Sequence, residues 1–330
     1  MSPRFDYTAM GFITFDALCR PVTQIPPAGD TYFVEELTLA VSGAAGSAVI
    51  VAAKHGLKCQ AVGGVGHDDM GDWVLMKLAK FGIDTELMQC CDGFSTSSSL
   101  VTTRPDGQRP ALHKRGATDG FYIDDSQIDR VLDTRILHVG GVGLMNRMDD
   151  AGRTQEVMAE ARRRGVITTL DVFASTAADL PKVERLLPYT DYFLPSEEEA
   201  RALSGLHDHR DQAQFLLDRG AGCVVLTLGA NGAYYRHRDG TEFHTPSFRI
   251  AVKCTCGCGD CFNGGFATGL HLGLTPQDCV ALAQASSAQN ATGLGSQAGV
   301  RDLAATRDFI ATTPHRDIVQ LPARALIGYH

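Results

Sequence analysis

A glycine-rich segment near the carboxyl end of the chain leads into one acidic residue, Asp260, which follows a Gly-Cys-Gly tripeptide at 257–259. An apolar run at 248–252 predicts a strand before it, and helical periodicity at 261–272 predicts a helix after it. The unpaired N–H groups at a helix start stabilise a phosphate, or the negative charge that develops on one during transfer. A carboxylate beside them can accept the proton of a hydroxyl group that attacks a phosphoryl group. A bare Gly-x-Gly-Asp pattern, however, fits a tight turn and an N-cap aspartate better than it fits catalysis.

Four of the ten cysteines lie in the same segment, at Cys254, Cys256, Cys258 and Cys261. This spacing suits Zn²⁺ or Cu⁺ binding, or a redox sensor, which is an alternative of a different functional class. Two features oppose it, because no second Cys-x-x-Cys pair is present and glycines alternate with the cysteines where a phosphate-binding turn needs them. At a helix start, the dipole is expected to lower the pKa of Cys258 and Cys261 and to make both thiols reactive. The alternative is that both are buried and behave as small, inert apolar side chains.

The elements that position these residues follow a regular order, since runs that predict strands alternate with helical patterns. This order predicts an α/β fold with a parallel sheet covered by helices on both faces. Two segments rich in Thr, Ser and Val, 31–41 and 95–112, interrupt the alternation and predict hairpins of a small separate sheet. No repeat or linker marks a boundary, so we predict a single domain over 1–330. The predicted strands are 7–13, 60–63, 136–139, 166–171, 192–194 and 223–227, and the predicted helices are 46–54, 72–81, 150–164, 179–187 and 197–203.

Composition limits the classes of partner. The 330 residues are 44% hydrophobic, and a net charge of −8 argues against nucleic acid and anionic membranes as partners. No apolar stretch approaches the roughly 20 residues of a membrane span, and residues 1–16 lack the features of a secretory signal. We therefore expect a cytoplasmic protein with free thiols. A dinucleotide-binding dehydrogenase is excluded because the glycine-rich turn does not follow the first strand.

Five short segments carry a further pattern: Ser-Gly-Ala-Ala-Gly-Ser at 42–47, Val-Gly-Gly-Val-Gly-His-Asp-Asp-Met-Gly at 62–71, Pro-Ser-Glu-Glu-Glu-Ala at 195–200, Thr-Leu-Gly-Ala-Asn-Gly at 227–232 and Gly-Cys-Gly-Asp at 257–260. In this order they resemble the signatures of the ribokinase-like (PfkB) family of carbohydrate and nucleoside kinases. The last segment matches the family's Gly-Ala-Gly-Asp, with cysteine in the alanine position. The resemblance extends over nearly the whole chain.

The resemblance implies a ribokinase-like fold, in which a central and mainly parallel sheet is flanked by helices. It also implies a small β lid, which residues 12–41 and 93–118 would form. The implied reaction is the ATP-dependent phosphorylation of a hydroxyl group of a small sugar or sugar derivative, with Mg²⁺ as cofactor. A nucleoside kinase is the alternative within the same family, and a homodimer formed through the lid is a further expectation.

The resemblance also implies a role for individual residues. Asp260 would be the general base, and the backbone of Gly257, Cys258 and Gly259 would form the anion hole. The implied sugar-binding residues are Asp16, Gly43 and Ser47, the nucleotide-binding residues are Ser196, Thr227, Gly229, Gly232 and Gln284, and Glu199 would contact Mg²⁺ through water.

Two departures from the family pattern affect these expectations. Ser47 stands where asparagine is usual, and 44–46 lacks the family's lysine, so the hydroxyl pattern that is recognised should differ from that of ribose. Cys254 replaces an acidic residue that supports a monovalent-cation site in many members, which puts potassium activation in doubt. Two further interpretations stay open: Asp171 either faces the site or ends a buried strand, and the basic residues at 113–115 either are solvated or contact an anionic substrate.

Overall fold

The computed structural model describes residues 3–173 and 176–317. Within these residues, thirteen strands form two sheets. The strands are β1 Phe5–Gly11, β2 Thr14–Arg20, β3 Glu36–Ser42, β4 Cys59–Val65, β5 Asp84–Cys90, β6 Ser98–Thr102, β7 Ala111–Lys114, β8 Thr134–Val142, β9 Ile167–Val172, β10 Tyr192–Phe193, β11 Cys223–Thr227, β12 Ala233–His237 and β13 Glu242–Thr245.

The helices of the described residues alternate with the strands of the larger sheet for most of the chain. They are α1 Ala44–Lys54, α2 Asp69–Lys80, α3 Asp125–Val131, α4 Asn146–Asp150, α5 Arg153–Arg163, α6 Leu180–Glu184, α7 Glu197–Ser204, α8 His209–Asp218, α9 Cys258–His271, α10 Pro276–Ala291 and α11 Leu303–Thr312.

The larger sheet has nine strands in the order β13-β12-β11-β10-β9-β8-β1-β4-β5. The strands from β5 to β11 are parallel, and only β12 and β13 run antiparallel at one edge. Separate apolar clusters cover the two faces, one around Phe121 and Leu170 and the other around Tyr7 and Val49. The predicted α/β fold, a mainly parallel sheet between helical layers, is therefore confirmed. Residues that follow these parallel strands collect at one edge of the sheet, as parallel pairing requires.

The smaller sheet has four strands in the order β3-β2-β6-β7. Its Leu18, Ala40 and Val101 form one buried cluster with Cys254 and Cys256, immediately before α9. One face of the small sheet therefore lies against the start of α9.

Some elements differ from the sequence prediction. Residues 248–252 do not form a strand, because Phe248 makes a single antiparallel bridge with His315 and the following residues pair with no strand. The segment 31–41 is not a hairpin by itself, since β3 pairs with β2, which we did not predict. Helix α8 and the β12–β13 hairpin were also missed.

Candidate active site

Asp260 is the third residue of α9, directly after a turn that only glycine can form. Gly257 has φ = 71°, and a Cβ there would lie 2.2 Å from the Ser296 Oγ. At Gly259 a Cβ would meet no atom within 4 Å, so this side of the helix start is open. The N-terminus of α9 thus has open space beside Gly259 and the half-buried Asp260 in its first turn, an arrangement suited to a phosphoryl group.

The environment of Asp260 connects three separate parts of the chain. Burial raises the pKa of its carboxyl group, the Arg109 guanidinium and the Ser47 hydroxyl oppose that rise, and the nearby Asp16 carboxylate adds to it. A carboxylate with a raised pKa is a stronger base while it remains ionised. Asp260, Asp16 and Ser47, which were predicted from three distant motifs, are therefore neighbours.

Asp16 is buried on β2 and belongs to the same site. Burial raises its pKa, and the nearby Ser42 and Ser99 hydroxyls and the charge of His113 partly oppose that rise. The Cys256 Sγ lies 3.9 Å from the Asp16 Oδ2. A buried carboxylate with mostly hydroxyl neighbours is well suited to binding the hydroxyl groups of a polyol.

Gly43 and Ser47 begin α1 beside these carboxylates. Gly43 has φ = 89°, and a Cβ there would lie 2.4 Å from the Phe12 carbonyl oxygen, so no other residue fits this turn. The Ser47 Oγ is fully buried and has no hydrogen-bond partner of ordinary geometry among the described residues, although it faces Asp260. A substrate hydroxyl would satisfy it.

Two further carboxylates lie close to Asp260. Asp171, near the end of β9, accepts a hydrogen bond of 2.6 Å from the Asn263 Nδ2. Its pKa is raised well above the usual value by burial and by the charges of Glu199 and Asp260. Burial, and also the charge of Asp260, raise the pKa of Glu199 to about 7, against hydrogen bonds from Ser196. Asp171 therefore faces the site, which the sequence left open.

The cluster of three carboxylates, Asp171, Glu199 and Asp260, fits a hydrated Mg²⁺ better than a metal ion that has lost its waters. Over 3–173 and 176–317, no three His, Cys, Asp or Glu side chains are placed to bind one metal ion directly. Mutual repulsion among Asp171, Glu199 and Asp260 would nevertheless be relieved by a nearby cation. Mg²⁺ usually keeps several waters and takes one or two carboxylates with substrate phosphates, so the residues present fit that ion.

The residues predicted to bind a nucleotide lie along the adjoining edge of the sheet. Ser196 forms a parallel bridge with Thr227, and its hydroxyl and N–H both donate to the Glu199 Oε2 at 2.8 Å. Gly229 begins the turn after β11 and has open space on its side-chain side. A Cβ at Gly232 would lie 1.9 Å from the Thr245 carbonyl oxygen, and that oxygen accepts a 3.3 Å hydrogen bond from the Gln284 Nε2. The five residues thus lie near one another.

In the part of the chain that the structure describes, the four clustered cysteines are not placed to hold one metal ion together. All ten cysteines are free thiols, and Cys254, Cys256 and Cys261 are buried. The lowered thiol pKa that we expected for Cys258 and Cys261 is wrong: burial raises the pKa of Cys258 to about 11 and raises that of Cys261 as well. The Cys258 thiol turns away from the helix start and donates to the Ser287 carbonyl oxygen at 3.7 Å. Loss of solvent therefore outweighs the helix dipole.

We therefore expect iodoacetamide near neutral pH to leave Cys258 unmodified and activity intact, because a protonated, packed thiol is a poor nucleophile. The exposed Cys90 should be alkylated first. Peptide mass mapping of the treated protein measures the alkylation of Cys258 and of Cys90, and a kinase assay measures the remaining activity. The Cys90→Ser variant is the control. Rapid inactivation that Cys258→Ala prevents would contradict this prediction.

Sequence reasoning missed two residues of the site. Arg109 lies in the loop between β6 and β7, whose Gly107 carbonyl accepts hydrogen bonds from the Thr255 N–H and Oγ1. This contact holds the loop against the segment that leads into α9, and it gives no signal in the sequence. Asn263, which donates to Asp171, is three residues after Asp260 and so lies on the same face of α9. Helical spacing could have identified it.

Comparison with known proteins decides the family. The model of the pfkB family carbohydrate kinases matches residues 13–303, which is most of the chain. The chain belongs to this family. This match confirms the resemblance that the five segments indicated. It also confirms the predicted enzyme class, because a pfkB carbohydrate kinase is a sugar kinase.

The individual relatives of this pfkB protein are only about a quarter identical to it in sequence. A deoxyribokinase from Salmonella typhi is 26% identical over 253 residues, which cover 74% of this chain and 79% of that protein. A ribokinase from Haemophilus influenzae is 24% identical over 309 residues, 92% of this chain and 97% of the other. A structure described as ribokinase II from E. coli, in complex with ATP and Mg²⁺, superposes with a TM-score of 0.80 at 21% identity, over 93% of this chain and 99% of that one. That likeness shows the ribokinase-like fold.

Among the described residues, no helix combines the length and the apolar composition that crossing a bilayer needs.

Proposed function

We propose that this protein transfers the γ-phosphoryl group of ATP to a hydroxyl group of a small sugar or sugar derivative. The observation that carries the proposal is the placement of Asp260 at the open N-terminus of α9, beside Asp16 and Ser47. The E. coli relative with bound ATP and Mg²⁺ supports the same choice of phosphoryl donor. The family also includes kinases of nucleosides, and no contact in the described residues favours a nucleoside over a sugar.

In this proposal, the side chains of the chain divide the work. Asp16 accepts hydrogen bonds from sugar hydroxyls and orients the acceptor. Asp260 accepts the proton of the attacking hydroxyl as its oxygen bonds to phosphorus, and ADP leaves. The N–H groups of Gly257, Cys258 and Gly259 stabilise the charge on the transferred group, and that of Cys258 would exchange its 3.3 Å bond to the Thr255 carbonyl oxygen for the phosphoryl group. Glu199 and Asp171 would hold Mg²⁺ through water, and the ion would supply charge neutralisation for the phosphates when bound.

The nucleotide lies, in the same proposal, along Ser196, Thr227, Gly229, Gly232 and Gln284. These residues continue the site from Glu199 along the edge of the large sheet. The small sheet would act as a lid within a single domain, since Leu18, Ala40 and Val101 on its inner face pack against Cys254 and Cys256 directly before α9. A monovalent cation has no assigned ligand in this proposal.

A panel of substrates tests the proposed function. Sugars, sugar acids, sugar phosphates and nucleosides are each supplied with ATP and Mg²⁺, and ADP release is measured with a coupled assay. We expect ADP release that depends on a sugar or sugar derivative. Release that depends only on nucleosides would replace the proposal with a nucleoside kinase, and release with no acceptor would contradict both.

The outward face of the small sheet also supports the expected homodimer. Leu39, Ala17, Leu100 and Leu112 are cross-strand neighbours in one row that crosses all four strands. Three of them are exposed leucines, at 41%, 58% and 69%. A second copy with the same row is a self-complementary partner, as a two-fold interface requires.

We expect the wild-type protein to be a dimer and Leu100→Glu to be largely monomeric, because each monomer would bury a charge at the centre of the row. Light scattering after size-exclusion chromatography measures the mass. Met76→Glu is the matched control, since Met76 is 51% exposed on α2, outside the small sheet. A monomeric wild type, or a dimeric Leu100→Glu variant, would contradict the expectation.

A further inference from the structure

Three polar side chains form a row across the small sheet. Asp16 on β2 is opposite Ser99 on β6, and Ser99 is opposite His113 on β7. Directly opposite residues of neighbouring strands project from the same face of a sheet. Asp16 interacts with Asp260, so the row lies on the face that is directed at the candidate active site.

The hydrogen bonds along the row determine which atoms carry protons. The Ser99 hydroxyl lies opposite Asp16 and stabilises its ionised form, although no hydrogen bond of ordinary geometry joins the two side chains. The Ser99 Oγ and the His113 Nδ1 are 3.1 Å apart. An ionised carboxylate attracts the single serine proton more strongly than an imidazole nitrogen does, so Ser99 accepts from an Nδ1–H of His113. In the neutral imidazole this leaves Nε2 with a lone pair and no proton.

The surroundings of His113 hold the ring in place and lower its pKa. The ring packs edge-on against Phe12, with centroids 5.5 Å apart and an interplanar angle of 85°. Burial lowers the pKa of His113, while Asp16 and Asp119 oppose that fall and Arg115 adds to it.

We propose that His113 is a substrate-binding residue whose Nε2 accepts a hydrogen bond from a hydroxyl group of the sugar. This inference rests on the proposed function and specifies its substrate class. Asp16 and His113 are both acceptors, at the two ends of one row of polar side chains, so the substrate presents at least two donating hydroxyls to the small sheet. A sugar that lacks the hydroxyl facing His113 would be phosphorylated less efficiently.

Two variants of His113 separate a binding role from a structural one. In His113→Asn the amide lies near the position of Nδ1, so contact with Ser99 is kept and the outer acceptor is lost. In His113→Gln the amide oxygen reaches the position of Nε2, so the outer acceptor is kept. Lys114→Ala is the matched control, because the adjacent residue of β7 projects from the opposite face.

The measurement is KM for the best sugar of the panel and KM for ATP, in all four proteins. We expect His113→Asn to raise KM for the sugar about tenfold, as loss of one hydrogen bond does. His113→Gln should stay much closer to wild type, and KM for ATP should not change. Equal effects of the two variants, or none, would overturn the inference while the wild type still phosphorylates the sugar. A wild type inactive on every sugar would instead overturn the proposed function.

Discussion

Replacing Asp260 with asparagine is expected to lower kcat for sugar phosphorylation by about 10²–10⁴-fold, the usual effect of losing a general base. Asparagine keeps the shape of the side chain but cannot take up the proton. The anion-hole N–H groups belong to the backbone of 257–259 and remain in place, so binding of ATP should be retained. Steady-state kinetics give kcat, and calorimetric titration with ATP gives the binding constant.

The matched control is Asp278→Asn, because Asp278 has the same position in α10 that Asp260 has in α9, three residues into the helix. It is exposed and hydrogen-bonded to Thr275. Both variants lose a charge that favours a helix start, but only Asp260 faces the site. An Asp260→Asn protein with wild-type kcat, or equal losses in the two variants, would remove Asp260 from the base role.

Asp16→Ala should raise KM for the sugar about 10- to 100-fold, because removing one partner of a buried hydrogen bond costs roughly 1–3 kcal/mol. KM for ATP should change little, since Asp16 lies on the small sheet, whereas the residues predicted to bind the nucleotide lie at or after strands of the large sheet or, for Gln284, on α10. Initial rates over a grid of both substrates separate the two constants.

Two further variants make this result interpretable. Asp16→Asn keeps the volume of the buried side chain and guards against a folding defect. Asp30→Ala removes an exposed carboxylate from the loop before β3 and should leave both constants unchanged. Equal rises in KM for the sugar and for ATP would show that Asp16 is structural.

Sequence reasoning could predict the site residues that lie together in short contiguous motifs. Gly257, Gly259 and Asp260 are adjacent in the chain, and a positive φ and a close approach dictate glycine at one of them. Helical and strand periodicities likewise predicted α1 and β11 closely, because burial of one face imposes the pattern locally.

Contacts between distant segments could not be predicted. The row that begins at Asp16 depends on the parallel pairing of β2 with β6, which are about 80 residues apart. In neither strand do polar and apolar residue types alternate cleanly along the sequence. The run at 248–252 is apolar and β-prone, yet it finds no partner strand. Cys258 was assigned a low pKa from its helix position alone, and packing against α10 decides otherwise.

The central claim is that Asp260 activates a sugar hydroxyl for attack on ATP. ³¹P NMR of wild-type protein with ATP, Mg²⁺ and the best sugar of the panel tests it most directly. The account predicts a phosphomonoester resonance that grows in step with ADP, and the near absence of that resonance with Asp260→Asn over the same time. Formation of inorganic phosphate in place of the ester, or ester formation at the wild-type rate by Asp260→Asn, would contradict it.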